Sequence, residues 1–412
     1  MTGIKDACYI AWRAIRAAAS WLVFWWEAVR HPIQSHKIVF CSTEGMGGYG
    51  DNPKAIAEQL HREHPELELV WLVNDMGRSF PNYIRKAPNT LWSRAYEYAT
   101  AKIWVDCHRK PWGTRKRRGQ YYLQTFHCNM CFKPLGADRG GKMPKIGELV
   151  SRADSSLIDI WLTSSGWNEA MVRRAMYYTG RMERVGSPRC DILFRDSTTW
   201  RQRIREQYGI PQKAHILLFA PTFRAGSQAR QRTVEAERVQ LDFQAVLDAL
   251  AARTGGKWYL LLRLHPQVAA HLAEYPLVDK NVQHVADASQ YGDAYELLAA
   301  SDALLTDYSS LAFDAGFIAM PVFLYADDLA SYQSDRNRLY FNMYETPFPF
   351  AETEQALLQN IQNFNQTVYR QHLQSFFVHA ELLEDGHTSA RTQQIIMDLL
   401  QGHNKEKQND SL

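Results

Sequence analysis

The stretch "KIVFCSTEGMGGYGDNPKAIAEQLHREH", residues 37–64, decides the fold. It opens with an apolar run of strand length, "KIVFCS". "PKAIAEQLHREH" follows with helical periodicity, Asn52 standing as a plausible N-cap and Pro53 at the first helical position. "ELVWLV", "KIWVDC", "YYLQTF" and "IDIWLT" continue the alternation. A second series starts at "HILLFA" and runs through "WYLLLRL", "VQHVAD", "DALLTD" and "PVFLYA". Strands alternating with helices predict parallel sheets wrapped by helices. Two such series predict an α/β chain of two Rossmann-like domains facing across a cleft. The expected boundaries are 35–195 and 196–402, preceded by a helix within 1–34 and followed by a polar, disordered tail at 403–412.

Composition narrows the function. At 412 residues the chain exceeds the usual size of one domain, and 46% hydrophobic with 22% charged residues supports packed cores. A formal net charge of +3 argues against a general nucleic-acid binder. Six cysteines without a dense framework fit reduced thiols.

The N-terminal segment "AWRAIRAAASWLVFWWEAVRHP" lacks the cleavage-site pattern of a signal peptide, and its uncharged core is too short to span a bilayer. Its periodicity puts Trp12, Ile15, Ala19, Leu22, Trp26 and Val29 on one face, with Arg13, Arg16, Ser20, Glu27 and Arg30 on the other. Tryptophans Trp12, Trp21, Trp25 and Trp26 among arginines suit a helix lying in a lipid headgroup region. A helix packed on its own domain is the plainer alternative. The basic run with Arg115, Lys116, Arg117 and Arg118 would attract anionic headgroups or polymer, or would be a solvated loop.

Ligands of open parallel sheets bind beyond the carboxyl ends of the strands, so polar residues there are the candidates for chemistry. In "LLTDYSSLAFDAG", Thr306 and Asp307 end a strand and Ser309 and Ser310 open a helix, a setting for a phosphate or for a simple cap. "LLRLHP" brings Arg263 and His265 to another strand end. His127, in "YYLQTFHCNMC", is a candidate proton acceptor. Its neighbours Cys128 and Cys131 have no second C-x-x-C or H-x-x-x-H partner and only Cys107 and His108 as a nearby complement, which makes a zinc or redox centre the weaker reading. "GSPRCD" presents Pro188, Arg189 and Asp191, and "APTFR" presents Arg224.

Taken in order, "DNPK", "RKRRGQ", "LQTFH", "GSPRCD", "APTFR", "RLHP", "TDYSS" and "RLYFNMY" resemble the CDP-glycerol glycerophosphotransferase family of teichoic acid and related capsule polymer synthesis. The resemblance covers most of 37–350. It implies a GT-B fold and transfer of glycerol phosphate from CDP-glycerol to an acceptor hydroxyl, with release of CMP. His127 matches the family's base, His265 its second important histidine, and Ser309 and Ser310 its donor-phosphate contacts. No cofactor is firmly implied, and divalent-ion stimulation stays open. The implied partners are CDP-glycerol, a lipid-linked phosphate-bearing acceptor and the cytoplasmic face of the membrane, held peripherally, with no nucleic acid. The chain departs from the family where His127 is followed by Cys-Asn-Met-Cys-Phe-Lys rather than Gly-Thr-Pro-Leu-Lys, and where Leu339 replaces a glycine. Rival expectations are a ribitol-phosphate transferase using CDP-ribitol, a glycosyltransferase using a nucleotide sugar, and a non-catalytic membrane or polyanion binder. The short length beyond one two-domain unit leans toward addition of one or few units.

Overall fold

The computed structural model describes residues 2–222, 241–264, 282–336 and 338–402. The chain divides into two compact units. The first comprises Met1–Asn129, Gly136–Asp191 and Leu383–Leu412; the second comprises Met130–Leu135 and Ile192–Leu382.

Seven strands of the first unit are described: β1 (Gln34–Cys41), β2 (Glu68–Val73), β3 (Ile84–Pro88), β4 (Ala101–Asp106), β5 (Tyr121–Gln124), β6 (Ile160–Thr163) and β7 (Arg181–Arg184). They form one sheet in the order β3-β2-β1-β4-β5-β6-β7, every pair parallel. Phe40 sits opposite Trp71 on one side and Val105 on the other. Helices cover both faces of such a sheet, which is why its inner strands read as unbroken apolar runs. The helix Asp51–Glu63 buries Ile56 and Leu60 against Ile38, Phe40 and Trp71.

The second unit repeats the plan. Its described strands are β8 (His215–Phe219), β9 (Trp258–Leu262), β10 (Val285–Asp287), β11 (Ala303–Thr306), β12 (Val322–Tyr325) and β13 (Phe350–Ala351). Their order is β10-β9-β8-β11-β12-β13, again all parallel. Two doubly wound parallel sheets are the sheet content of the GT-B class.

Three details differ from the sequence reading. The helix after β1 starts at Asp51 with Gly50 as its cap, so Asn52 lies inside the first turn and its side chain is free for another task. Residues 130–135 belong to the second unit: the Phe132 ring packs on Phe313, and its carbonyl accepts from the Tyr340 backbone N–H at 2.8 Å. The last described helix, Thr388–Leu400, belongs to the first unit, because Ile396 and Leu399 complete the apolar cluster around Ile56 and Leu60. Linear boundaries at 195/196 miss both exchanges, since a helix joins whichever core takes its apolar face.

The N-terminal helix spans Thr2–Arg30. It packs on the helix Leu91–Thr100, with Ala17, Val23, Phe24 and Ala28 buried. Gly113 crosses so closely that a Cβ there would lie 2.3 Å from the Ala17 carbonyl oxygen. Ile15, Leu22, Trp26 and Val29 point outward, Val29 being 85% exposed. The packed-helix reading holds for one face of this helix. The side holding Ala17, Phe24 and Ala28 is packed, and the broad apolar face remains open. No helix among the described residues is long and apolar enough to cross a membrane.

Candidate active site at the strand ends

In the first sheet the strand order reverses between β1 and β4, which is where open parallel sheets receive their ligands. The segments leaving β1, β4 and β5 carry Asp51, Asn52, Cys107, His108 and His127. Asn52 is 1% exposed and ties these segments together. Its amide donates to the carbonyls of Thr125 (3.3 Å) and Phe126 (2.7 Å), and its oxygen accepts from the Arg189 backbone N–H at 3.1 Å. Phe126 is thereby held at φ 50°, a left-handed conformation that costs a bulky residue about 1–3 kcal/mol. That turn places the His127 ring beside the ends of β4 and β5.

His127 Nδ1 lies 3.2 Å from the Cys107 carbonyl oxygen. A carbonyl only accepts, so the proton sits on Nδ1 and the lone pair on Nε2. Burial drives this imidazole toward its neutral form, the neighbouring His108 adds to the effect, and Asp51 opposes it. A neutral imidazole with its Nε2 lone pair unprotonated is equipped to take a proton from an alcohol.

Arg189 is the other fixed point. It is 7% exposed, and its Nη1 donates to Asp51 Oδ1 at 2.9 Å and to the His127 carbonyl at 2.7 Å. Burial opposes ionisation of Asp51, yet Arg189 and His127 together hold its carboxyl below the usual range. Arg189, a strand-end candidate in the sequence, braces the histidine turn. Asp191 accepts from the backbone N–H groups of Thr388 (3.0 Å) and Ser389 (2.7 Å), capping the last helix, and the Pro188 carbonyl accepts from the Ser389 hydroxyl. Asp191 and Pro188 thus hold the fold, a task that strand-end position alone does not separate from ligand binding.

In the second unit the reversal lies between β8 and β11. Thr306 donates to the Ala220 carbonyl at 2.7 Å, and Asp307 accepts from Thr222 N–H (2.9 Å) and hydroxyl (3.0 Å). Both are buried and fasten the two strand ends together. Arg263 donates to the Ser289 carbonyl. Ser309 and Ser310 remain half-buried ahead of the six-residue helix Leu311–Gly316, and Ser309 Oγ accepts from Leu311 N–H at 3.3 Å. Arg224 and His265 lie outside the described residues.

The basic segment is largely drawn into the fold. Lys116 donates to the Leu157 carbonyl and pairs with Asp159, and Arg117 donates to the carbonyls of His31 and Ala99. Arg115 and Arg118 stay exposed. Cys107, Cys128 and Cys131 are buried, and among the described residues no three His, Cys, Asp or Glu side chains are placed to hold a metal ion.

The sequence reading gives Asp51 no role at the site and names His108 only as a weak metal-ligand complement. The His108 ring stacks on His127 with centroids 4.0 Å apart and planes within 3°. The adjacent "DCHRK" at the end of β4 was the available signal, since two histidines at neighbouring parallel strand ends meet.

Two doubly wound parallel sheets, with a histidine at the reversal of the first, give the chain the architecture of the GT-B class. Residues 24–398 match the family described as CDP-Glycerol:Poly(glycerophosphate) glycerophosphotransferase, and the chain belongs to that family. The chain is 26% identical over 392 residues to a teichoic acid poly(glycerol phosphate) polymerase of Staphylococcus epidermidis, covering 91% of this chain and 52% of that relative. It therefore spans about half the length of that polymerase. A teichoic acid glycerol-phosphate transferase of Staphylococcus aureus is 28% identical over 84% of this chain and 90% of its own length. Relatives named for ribitol phosphate also match. A solved structure of the wall teichoic acid polymerase TagF shares the fold, with TM-score 0.76 and 24% identity over 90% of this chain and 91% of the other.

Proposed function

We propose that the chain transfers glycerol phosphate from CDP-glycerol to a hydroxyl of a teichoic-acid-type acceptor and releases CMP. Family membership and the relatives' names support the substrate class. The observation that carries the chemistry is His127, fixed in the Nδ1–H tautomer by the Cys107 carbonyl. Its Nε2 removes the acceptor proton as the hydroxyl oxygen attacks the glycerol-bearing phosphorus. A new P–O bond forms to the acceptor, the bridging P–O bond of the pyrophosphate breaks, and its electron pair leaves on CMP. In the second unit, Ser309 and Ser310 are proposed to bind the donor phosphates. Arg263, His265 and Arg224 are proposed to offset the charge of the leaving group, the last two on the resemblance alone. Arg189 and Asp51 hold the base, and Thr306, Asp307, Pro188 and Asp191 hold the strand ends.

The acceptor is proposed to be lipid-linked, with the enzyme resting peripherally on the cytoplasmic membrane face. The supporting feature is the N-terminal helix, whose Ile15, Leu22, Trp26 and Val29 are exposed, with Arg16 over Trp12 and Arg30 over Trp26 at 4.8 and 4.9 Å. Arg115 and Arg118 add positive charge.

The test is nucleotide release by purified protein given CDP-glycerol, CDP-ribitol or UDP-sugars, with and without a glycerol-phosphate-primed lipid acceptor. Acceptor-dependent CMP release from CDP-glycerol is the expected result. Preference for CDP-ribitol replaces the donor alcohol, and release of UDP replaces the reaction class.

A further inference from the structure

The imidazole of His108 lies face to face with His127, 4.0 Å away and tilted by 3°. Its position is built from below. The His108 backbone N–H donates to Asp106 Oδ1 at 2.8 Å, and its carbonyl accepts from Gln124 Nε2 at 3.2 Å. Asp106 Oδ2 in turn accepts from Lys110 Nζ at 3.0 Å, and both ions are 2% exposed. The Lys110 ammonium is itself held over the rings of Tyr98 and Tyr122, at 4.4 and 4.5 Å. A buried, aromatic-boxed ion pair thus sets the chain on either side of His108, and His108 Nδ1 rests 3.3 Å from Cys107 Sγ.

We infer that His108 is a positioning residue for His127 and that the two stacked rings accept only one proton between them. Accepting the proposed base role of His127, this makes His108 the group whose protonation shuts the reaction down in acid. Two parallel imidazolium rings this close repel strongly in a site shielded from water. Burial and the stacked neighbour, rather than the surrounding charges, direct the first proton to His108. Asp51 favours protonation of both rings, Arg189 opposes it at both, and Arg109 opposes it at His108. His127 is held neutral most firmly, by burial and by His108, which outweigh the Cys107 hydrogen bond that favours the charged ring. A proton on His108 then leaves His127 unprotonated but too weak a base to accept one from the acceptor.

The experiment uses the full chain, histidine-selective NMR titration, and pH profiles of CMP release from CDP-glycerol with acceptor. His108→Phe keeps a flat ring and removes the competing charge. It is expected to raise the His127 midpoint by about one pH unit and to move the acid limb of kcat to lower pH. His108→Ala removes the support and is expected to lower kcat about 10-fold at neutral pH with KM for CDP-glycerol unchanged, His108→Phe recovering most of the loss. Unaltered His127 midpoint and acid limb in His108→Phe overturn the inference and leave the base assignment standing. Undiminished CMP release in His127→Ala sinks the base assignment and the gating role with it, even if the NMR coupling persists.

Discussion

Arg189 grips His127 from behind: its guanidinium donates to the backbone carbonyl of that residue at 2.7 Å rather than to the imidazole. The same nitrogen donates to Asp51, so a helix start, a strained turn and a buried cation form one brace. The ring is left free to exchange a proton while its backbone is not free to move.

Substituting the proposed base should be the most damaging single change to catalysis. His127→Ala is expected to lower acceptor-dependent CMP release by about 10²- to 10⁴-fold. Circular dichroism and melting temperature should stay close to wild type, because the ring's one fixed hydrogen bond is to the Cys107 carbonyl.

Removing the brace should act on stability and rate together. Arg189→Met leaves Asp51 without its guanidinium and is expected to cost about 3 kcal/mol in denaturant unfolding at pH 7. Asp51 has a depressed carboxyl pKa in the folded chain. Its contribution is therefore present above the unfolded carboxylate range, about pH 4, and is lost as pH falls through the lower folded value. The difference between wild type and Arg189→Met should accordingly shrink below about pH 4; a difference that grows there refutes the assignment.

Asp154 predicts the opposite slope. Burial pushes its carboxyl up to about 7, although its oxygen accepts from the Lys110 backbone N–H at 3.0 Å. The folded chain therefore holds a proton that the unfolded chain releases near pH 4, and stability falls as pH rises from about 4 to about 7. Asp154→Asn keeps an acceptor oxygen without the charge. It should flatten that slope and gain on the order of 1–3 kcal/mol at pH 8, read by urea unfolding across pH.

The proposed membrane-facing role calls for substitutions rather than truncation, because deleting the N-terminal helix would also uncover the surface beneath Ala17, Phe24 and Ala28. Leu22→Glu with Trp26→Glu leaves that packing intact. It should lower cosedimentation with phosphatidylglycerol vesicles at least 10-fold, with no change in melting temperature. Vesicle binding equal to wild type excludes this face as the anchor.

The central strands were legible because each is buried on both faces and reads as one apolar run, as in "KIVFC" and "WYLLL". The edge strands of the first sheet were less so, although β10, at the edge of the second, falls within the "VQHVAD" run. β3 is "IRKAP", with Arg85 and Pro88 exposed, and β7 is "RMER", with no residue fully buried; polar edges discourage pairing with other chains and carry no apolar pattern. His127 could be named from its place after an apolar strand. The partners Asp51 and Arg189 lie 76 and 62 positions away in sequence, after β1 and β7, and only the folded first sheet brings them to His127. Asp191, Thr306 and Asp307 show the converse limit. A polar side chain at a strand end looks the same in sequence whether it meets a ligand or fastens a backbone.

The closing helix of the first unit has a consequence for the order of synthesis. Ile396 and Leu399 roof the cluster of Ile56 and Leu60, and the Thr388 and Ser389 amides satisfy Asp191. A ribosome must translate the entire 192–382 stretch before those groups exist. The half encoded first is therefore the half whose interior is sealed last, and nascent chains halted before Thr388 carry an uncovered apolar surface and an uncapped carboxylate, the kind of exposure that chaperones and proteases read.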